Sequence, residues 1–214
     1  LPDAMTNYIA KLGWSYRDEE IFNLKQAISW FTLEGIGKSP SKFDMKKLSF
    51  VSKKYLMLKP VNELYDSFLE YIKLYKNIDL SEISLKWLRQ FLPLVNGRCS
   101  SLGEIFDSSS FIFEHAEVRH KKSLALLDNV SKTIIRDFTT SINSTNLTWE
   151  AKHLEEFINT YCELNKLKFH DIGVPLRIGI TGSRSSPSIV QIMEILGKDE
   201  ILNRLKTTAV ESKN

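Results

Sequence analysis

Apolar residues recur at three- and four-residue spacing along most of this chain, and that regularity leaves little room for anything but helices. Ile21, Phe22, Leu24, Ala27, Ile28 and Phe31 follow it, as do Leu64, Phe68, Tyr71, Ile72 and Tyr75, then Leu85, Leu88, Phe91, Leu92 and Val95. At 3.6 residues per turn such a series lines one face of a helix. The stripe resumes at Leu124, Leu127, Val130, Ile134, Ile135 and Phe138, and again at Leu154, Phe157, Ile158, Tyr161 and Leu164. Nine glycines and six prolines in 214 residues are too few for a sandwich or barrel, which turns roughly every ten residues. The expected fold is all-α, a multi-helix bundle or cage of two or three helical subdomains. Length and a hydrophobic share of 43% suffice for a buried core.

Capping residues punctuate the stripes. Pro2 to Leu12 reads as a first helix stopped by Gly13, and Asp18 is expected to cap the helix of Ile21–Phe31. Gly35 through Pro40 reads as loop. Asp44 should cap a short helix through Leu48, with another over Phe50–Leu56. Ser81 and Glu82 open a helix that Asn96-Gly97 closes. The serines at 100–101 and 108–110, and the polar run Thr139–Asn146, are expected to interrupt the pattern. Thr148 is expected to cap the helix of Leu154–Leu164, and Pro175–Ser188 reads as irregular and partly extended. Ser186 should cap a helix with Pro187 as its first residue and Gly197 as its stop. A last helix over Asp199–Leu205 precedes a polar tail.

Charge is a mild guide. Twenty-nine basic residues against 26 acidic ones leave a net +3, so any nucleic-acid contact must come from local clustering. Cys99 and Cys162 form no CxxC and are expected to be free thiols in a reducing cytoplasm. His115 and His120 lie near no cysteine pair, and no metal site is expected. Gly179-Ile180-Thr181-Gly182-Ser183 comes nearest to a phosphate loop but lacks the strand-GxxxxGK[ST]-helix pattern. Nothing assembles a nucleophile, a base and oxyanion donors. No apolar run approaches the roughly 20 residues of a membrane span, so no membrane partner is expected. The first residue, Leu1, is not Met, and the chain is expected to be part of a longer polypeptide.

Several strings carry a family resemblance. Leu1-Pro2-Asp3-Ala4, Asn7 through Ser15, and Glu20-Ile21-Phe22 resemble the segment after the KMSKS-type loop of bacterial glutamyl-tRNA synthetases. Phe31-Thr32-Leu33-Glu34, Lys38-Ser39-Pro40, Phe43-Asp44 and Lys47-Leu48 resemble the stretch leading into that family's anticodon-binding region. Leu176 through Ser183, Ser186-Pro187 and Leu196-Gly197-Lys198 resemble its C-terminal signature. Phe50, Ser52 and Ser188 depart from the family's usual Trp, Asn and Gly.

The resemblance implies a tRNA-reading module. Residues 1–61 would be a helical stem-contact region, 62–111 a first and 112–214 a second helical anticodon-binding subdomain. Neither the HIGH tetrapeptide nor the KMSKS-type loop occurs in the sequence, so the chain alone is expected to be inactive and to hold no cofactor. The parent enzyme would join glutamate to tRNA with ATP and Mg through an upstream catalytic domain. The implied partner is tRNA(Glu), with tRNA(Gln) a second candidate, bound by a monomer. Arg98 matches an arginine that probes the third anticodon nucleotide, and Arg177 one that contacts anticodon bases. Ser186, Pro187 and Ile189 match residues lining the pocket for those bases, while Asn159 replaces a further RNA-contacting arginine of some members. An arginine offers a fork of donors and a flat face for splayed loop bases. The alternative is a stand-alone helical adaptor for RNA or protein.

Overall fold

A computed structural model describes residues 1–38 and 40–209; Ser39 and the end of the expected polar tail, from Val210, lie outside the described residues, while its start, Lys206 to Ala209, continues the last helix. In chain order the helices are α1 (Pro2–Gly13), α2 (Leu24–Trp30), α3 (Met45–Leu58), α4 (Val61–Tyr75), α5 (Glu82–Val95) and α6 (Leu102–Ser109). There follow α7 (Ala116–Leu126), α8 (Asn129–Ser144), α9 (Ala151–Leu164), α10 (Phe169–Thr181), α11 (Ile189–Leu196) and α12 (Lys198–Ala209). Among the described residues there is no strand, only an isolated antiparallel bridge between Trp14 and Ile36. The fold is all-α, as the periodicity requires. No described helix is long and apolar enough to cross a membrane.

The chain divides into two units, Leu1–Asp79 with Val95–Asp107, and Leu80–Leu94 with Ser108–Asn214. In the first, α1 packs on α3. Tyr8, 1% exposed, meets Phe43 edge-on at 5.1 Å, and its hydroxyl accepts the Asp44 N–H at 2.5 Å. The Asp44 side chain in turn caps α3 through Lys46 N at 2.8 Å. The helix that starts there runs unbroken to Leu58, where two short helices were expected, and it buries Val51 and Leu56.

The helix expected from Asp18 begins later, at Leu24. Asn7, 2% exposed, captures the preceding backbone: its Oδ1 accepts Phe22 N–H at 3.0 Å and its Nδ2 donates to Glu20 O at 3.2 Å. The Tyr55 hydroxyl donates to Phe22 O at 2.5 Å. Backbone groups held by side chains in this way are withdrawn from helix formation. Asn23 then caps α2 in a reciprocal arrangement with Gln26.

In the second unit α10 is central, packing on α7, α8, α9, α11 and α12, while α8 and α12 also pair directly. The long stripe from Glu117 to Phe138 is two helices, parted where Asp128 accepts the Ser131 N–H at 2.8 Å. The polar run at 139–146 does not break α8 before Ser144. Thr139 Oγ1 donates to Ile135 O at 2.6 Å and Thr140 Oγ1 to Arg136 O at 3.0 Å, so both hydroxyls are satisfied within their own helix. The serines at 100–101 likewise start a helix, since Ser101 Oγ accepts Glu104 N–H and the Glu104 carboxylate accepts Ser100 N–H at 2.8 Å. Glu150, not Thr148, precedes α9, and Leu164 at its far end is 79% exposed rather than buried.

The largest correction concerns 175–188. Pro175 lies inside α10, which continues to Thr181. A proline in a helix interior costs about 3 kcal/mol. Ile172, Leu176, Ile178 and Ile180 are all at most 2% exposed, and each such side chain contributes about 1.5–3 kcal/mol when buried. Burial wins. The carbonyl that Pro175 leaves without its helical partner is that of Asp171, an exposed residue.

Candidate nucleic-acid interface

Arg177 stands one turn before the end of α10, and the carbonyls of that last turn are taken up one by one. Thr181 Oγ1 donates to Arg177 O at 2.8 Å, Gly182 N and Ser123 Oγ each reach Ile178 O at 2.8 Å, and Arg204 Nη1 donates to Ile180 O at 2.9 Å. A helix normally leaves its last four carbonyls open; here neighbouring helices close most of them. Gly182 follows with φ +72°, the left-handed stop that a side chain would resist. The chain then turns back through Ser183–Ser188.

That return brings Ser186 to Arg177. The Arg177 Nε–H donates to Ser186 Oγ at 2.9 Å, and the Ser186 hydroxyl donates onward to Pro187 O at 3.0 Å. Arg177 is half-buried, and burial lowers its guanidinium pKa from the ordinary value, though arginine stays charged at neutral pH. With Nε occupied, the two terminal amino groups remain for a ligand.

Ser186 was expected as the cap of a helix beginning at Pro187. The helix begins two residues later, at Ile189, with Ser188 as its cap residue and no side-chain cap bond. Ser186 is committed to Arg177 instead. Pro187 and Ile189 are buried, Ile189 to 2% exposure. Asn159 is exposed on α9.

Arg98 belongs to the first unit, whereas Arg177, Ser186, Pro187 and Ile189 belong to the second. It is exposed, three residues past α5, in the turn where Gly97 takes φ +80° and Arg98 N donates to Val95 O at 2.9 Å. Two residues of this region escaped the sequence reading, Ser123 and Arg204. Both lie far along the chain from Arg177, and only tertiary contact connects them.

The Gly179–Ser183 string does not fit a nucleotide phosphate. It closes α10, so it lies at the negative end of the helix dipole and presents carbonyls, where a phosphate needs the N–H groups of a helix start. Among the described residues no group of three His, Cys, Asp or Glu could hold a metal ion.

The anticodon binding domain family matches residues 63–209. The chain belongs to that family. Its relatives include the glutamate–tRNA ligase of Pelagibacter ubique, 37% identical over 205 residues, which are 96% of this chain and 44% of that protein. Glutamate–tRNA ligase 1 of a Jannaschia species is 36% identical over 207 residues, with the same 96% and 44% covered. The crystal structure of a glutamate tRNA ligase from Elizabethkingia meningosepticum superposes with a TM-score of 0.78 at 25% identity, over 98% of this chain and 41% of that one. The chain thus spans less than half the length of the relatives it matches. It is homologous to the C-terminal region of glutamate–tRNA ligases. Arg98, Arg177 and Ser186 all fall inside the anticodon binding domain match.

Proposed function

We propose that this chain is the anticodon-reading module of a glutamate–tRNA ligase, with Arg177 as its principal base contact in the second unit. The observation that carries this is the Arg177–Ser186 bond. It fixes the plane of a half-buried guanidinium whose terminal donors are left for the edge of a splayed anticodon base. Arg98, exposed beyond α5, contacts the third anticodon nucleotide from the first unit. Pro187 and Ile189 hold the loop that supports the Arg177 site. The partner is tRNA(Glu), with tRNA(Gln) as a second substrate of an enzyme that charges both.

In this reading residues 1–61 contact the stem and residues 62–111 and 112–214 form two anticodon-binding subdomains. The protein works as a monomer in the cytoplasm, and an upstream catalytic domain supplies the site for glutamate, ATP and Mg. The test is titration with tRNA carrying the glutamate anticodon and with a tRNA differing at one anticodon nucleotide. A read base is worth about 1–3 kcal/mol of preference, by analogy with bidentate base contacts. Equal affinity for the two tRNAs would sink the proposal.

A further inference from the structure

Arg119 and Arg204 are the only charged residues that are buried among the described ones, and Arg204 is 3% exposed. Burial, and the charge of Arg119, push its pKa down to about 10, while the Glu200 carboxylate 2.6 Å from its Nε opposes the shift. Burying a guanidinium is expensive, and a well-packed apolar side chain often serves stability as well or better. What the arginine does here, and an apolar side chain would not, is donate from Nη1 to two backbone carbonyls of different elements. It reaches Phe111 O at 3.1 Å and Ile180 O at 2.9 Å. Ile180 is in the last turn of α10, three residues beyond Arg177. Ser123, fully buried, holds Ile178 O in the same turn at 2.8 Å.

The end of α10 is therefore gripped from α12 by Arg204 and from α7 by Ser123. On the α7 side a Cβ added at Gly182 would lie 3.5 Å from Arg119, so the stop that redirects the chain toward Ser186 is in contact with α7 too. We propose that Arg204, with Ser123, is a positioning residue for Arg177. It holds the last turn of α10 and the Gly182–Ser188 loop in the register that places Ser186 Oγ against Arg177 Nε. Neither residue touches RNA. The inference rests on the reading of Arg177 as a base contact, and its consequence is that base selectivity depends on a buried arginine.

The experiment compares wild type, Arg177→Ala, Arg204→Met, Arg204→Lys and Ser123→Ala as the full chain, below the melting temperature of each. Each is titrated with the tRNA carrying the glutamate anticodon and with a single-nucleotide anticodon variant. Hydrogen exchange is followed at the amides of Gly182–Ser186 and Ser188. Arg204→Met is expected to lose at least about fivefold of the selectivity ratio, the low end of a bidentate base contact. Its affinity for the variant tRNA should hardly change, and the loop amides should exchange faster than in wild type while those of α9 stay as they were. Arg204→Lys, which keeps a donor for Ile180 O, recovers part of the ratio. If Arg204→Met does not fold, Ser123→Ala is the milder variant and carries the same expectation. A wild-type ratio in the folded variants, or equal weakening toward both tRNAs, overturns the positioning role. Should wild type itself fail to discriminate, the anticodon reading is what fails. Even then, unchanged exchange in the loop overturns the positioning role on its own.

Discussion

Arg177 and Ser186 meet through a 2.9 Å Nε–H···Oγ bond between the last turn of α10 and the loop that follows it. The bond occupies the donor on the chain nitrogen Nε and leaves the two amino groups in a fixed plane. Ser186→Ala should therefore reduce anticodon selectivity without abolishing it. A hydrogen bond from a charged donor contributes about 1.5–3 kcal/mol, but Ser186→Ala leaves the guanidinium and its terminal donors in place, whereas Arg177→Ala removes the whole base contact. Titration of both variants with the paired tRNAs checks the ranking; a larger loss for Ser186→Ala than for Arg177→Ala would contradict it.

Arg98→Gln should separate recognition from stability. The residue is exposed, beyond the end of α5, so thermal stability should move by less than about 0.5 kcal/mol. Selectivity at the third anticodon nucleotide should fall by about 1–3 kcal/mol. The reverse pattern, a lower melting temperature with selectivity intact, would make Arg98 a helix-end cation.

Asn7 is 2% exposed and should be costly to remove. Asn7→Ala leaves the buried Phe22 N–H without its acceptor, a loss of about 1–3 kcal/mol. Urea unfolding followed by dichroism measures it. A change under about 0.5 kcal/mol, the range of a neutral surface substitution, would mean that the Glu20–Phe22 segment finds other partners.

Gly182→Ala forces a Cβ into the left-handed region at φ +72°, a strain of about 1–2 kcal/mol. Beyond lowering the melting temperature, it should perturb the Ser183–Ser188 return and with it anticodon selectivity. Retained selectivity with reduced stability would show that the loop tolerates a shifted stop.

Acid should weaken the start of α8. The Asp128 carboxylate accepts the Ser131 N–H, which holds its pKa below the ordinary carboxylate range. A group with a depressed folded pKa lends stability above its unfolded pKa and loses it as pH falls through the folded one. The melting difference between wild type and Asp128→Ala should accordingly narrow on acidification; a constant difference through that range would refute a charged cap.

Local chemistry was enough to read the helical class, the cap at Asp44 and the stops at Gly97 and Gly197, because periodicity, capping and left-handed glycines act within a turn or two of chain. The same locality misplaced the start of α2, split α3 and broke α8 too early. The Arg177 string was legible as a family signature, but its setting was not. Pro175 reads as a helix breaker until the burial of Ile172, Leu176, Ile178 and Ile180 is counted, and that burial exists only when α7, α8, α9, α11 and α12 surround α10. Ser186 reads as a cap until Arg177 reaches it. Ser123 and Arg204 are 54 and 27 residues from Arg177 and carry no local mark at all. Sequence determined which segments could be helical; tertiary packing decided where they end and what holds the arginine, because a buried carbonyl takes whichever donor the fold brings to it.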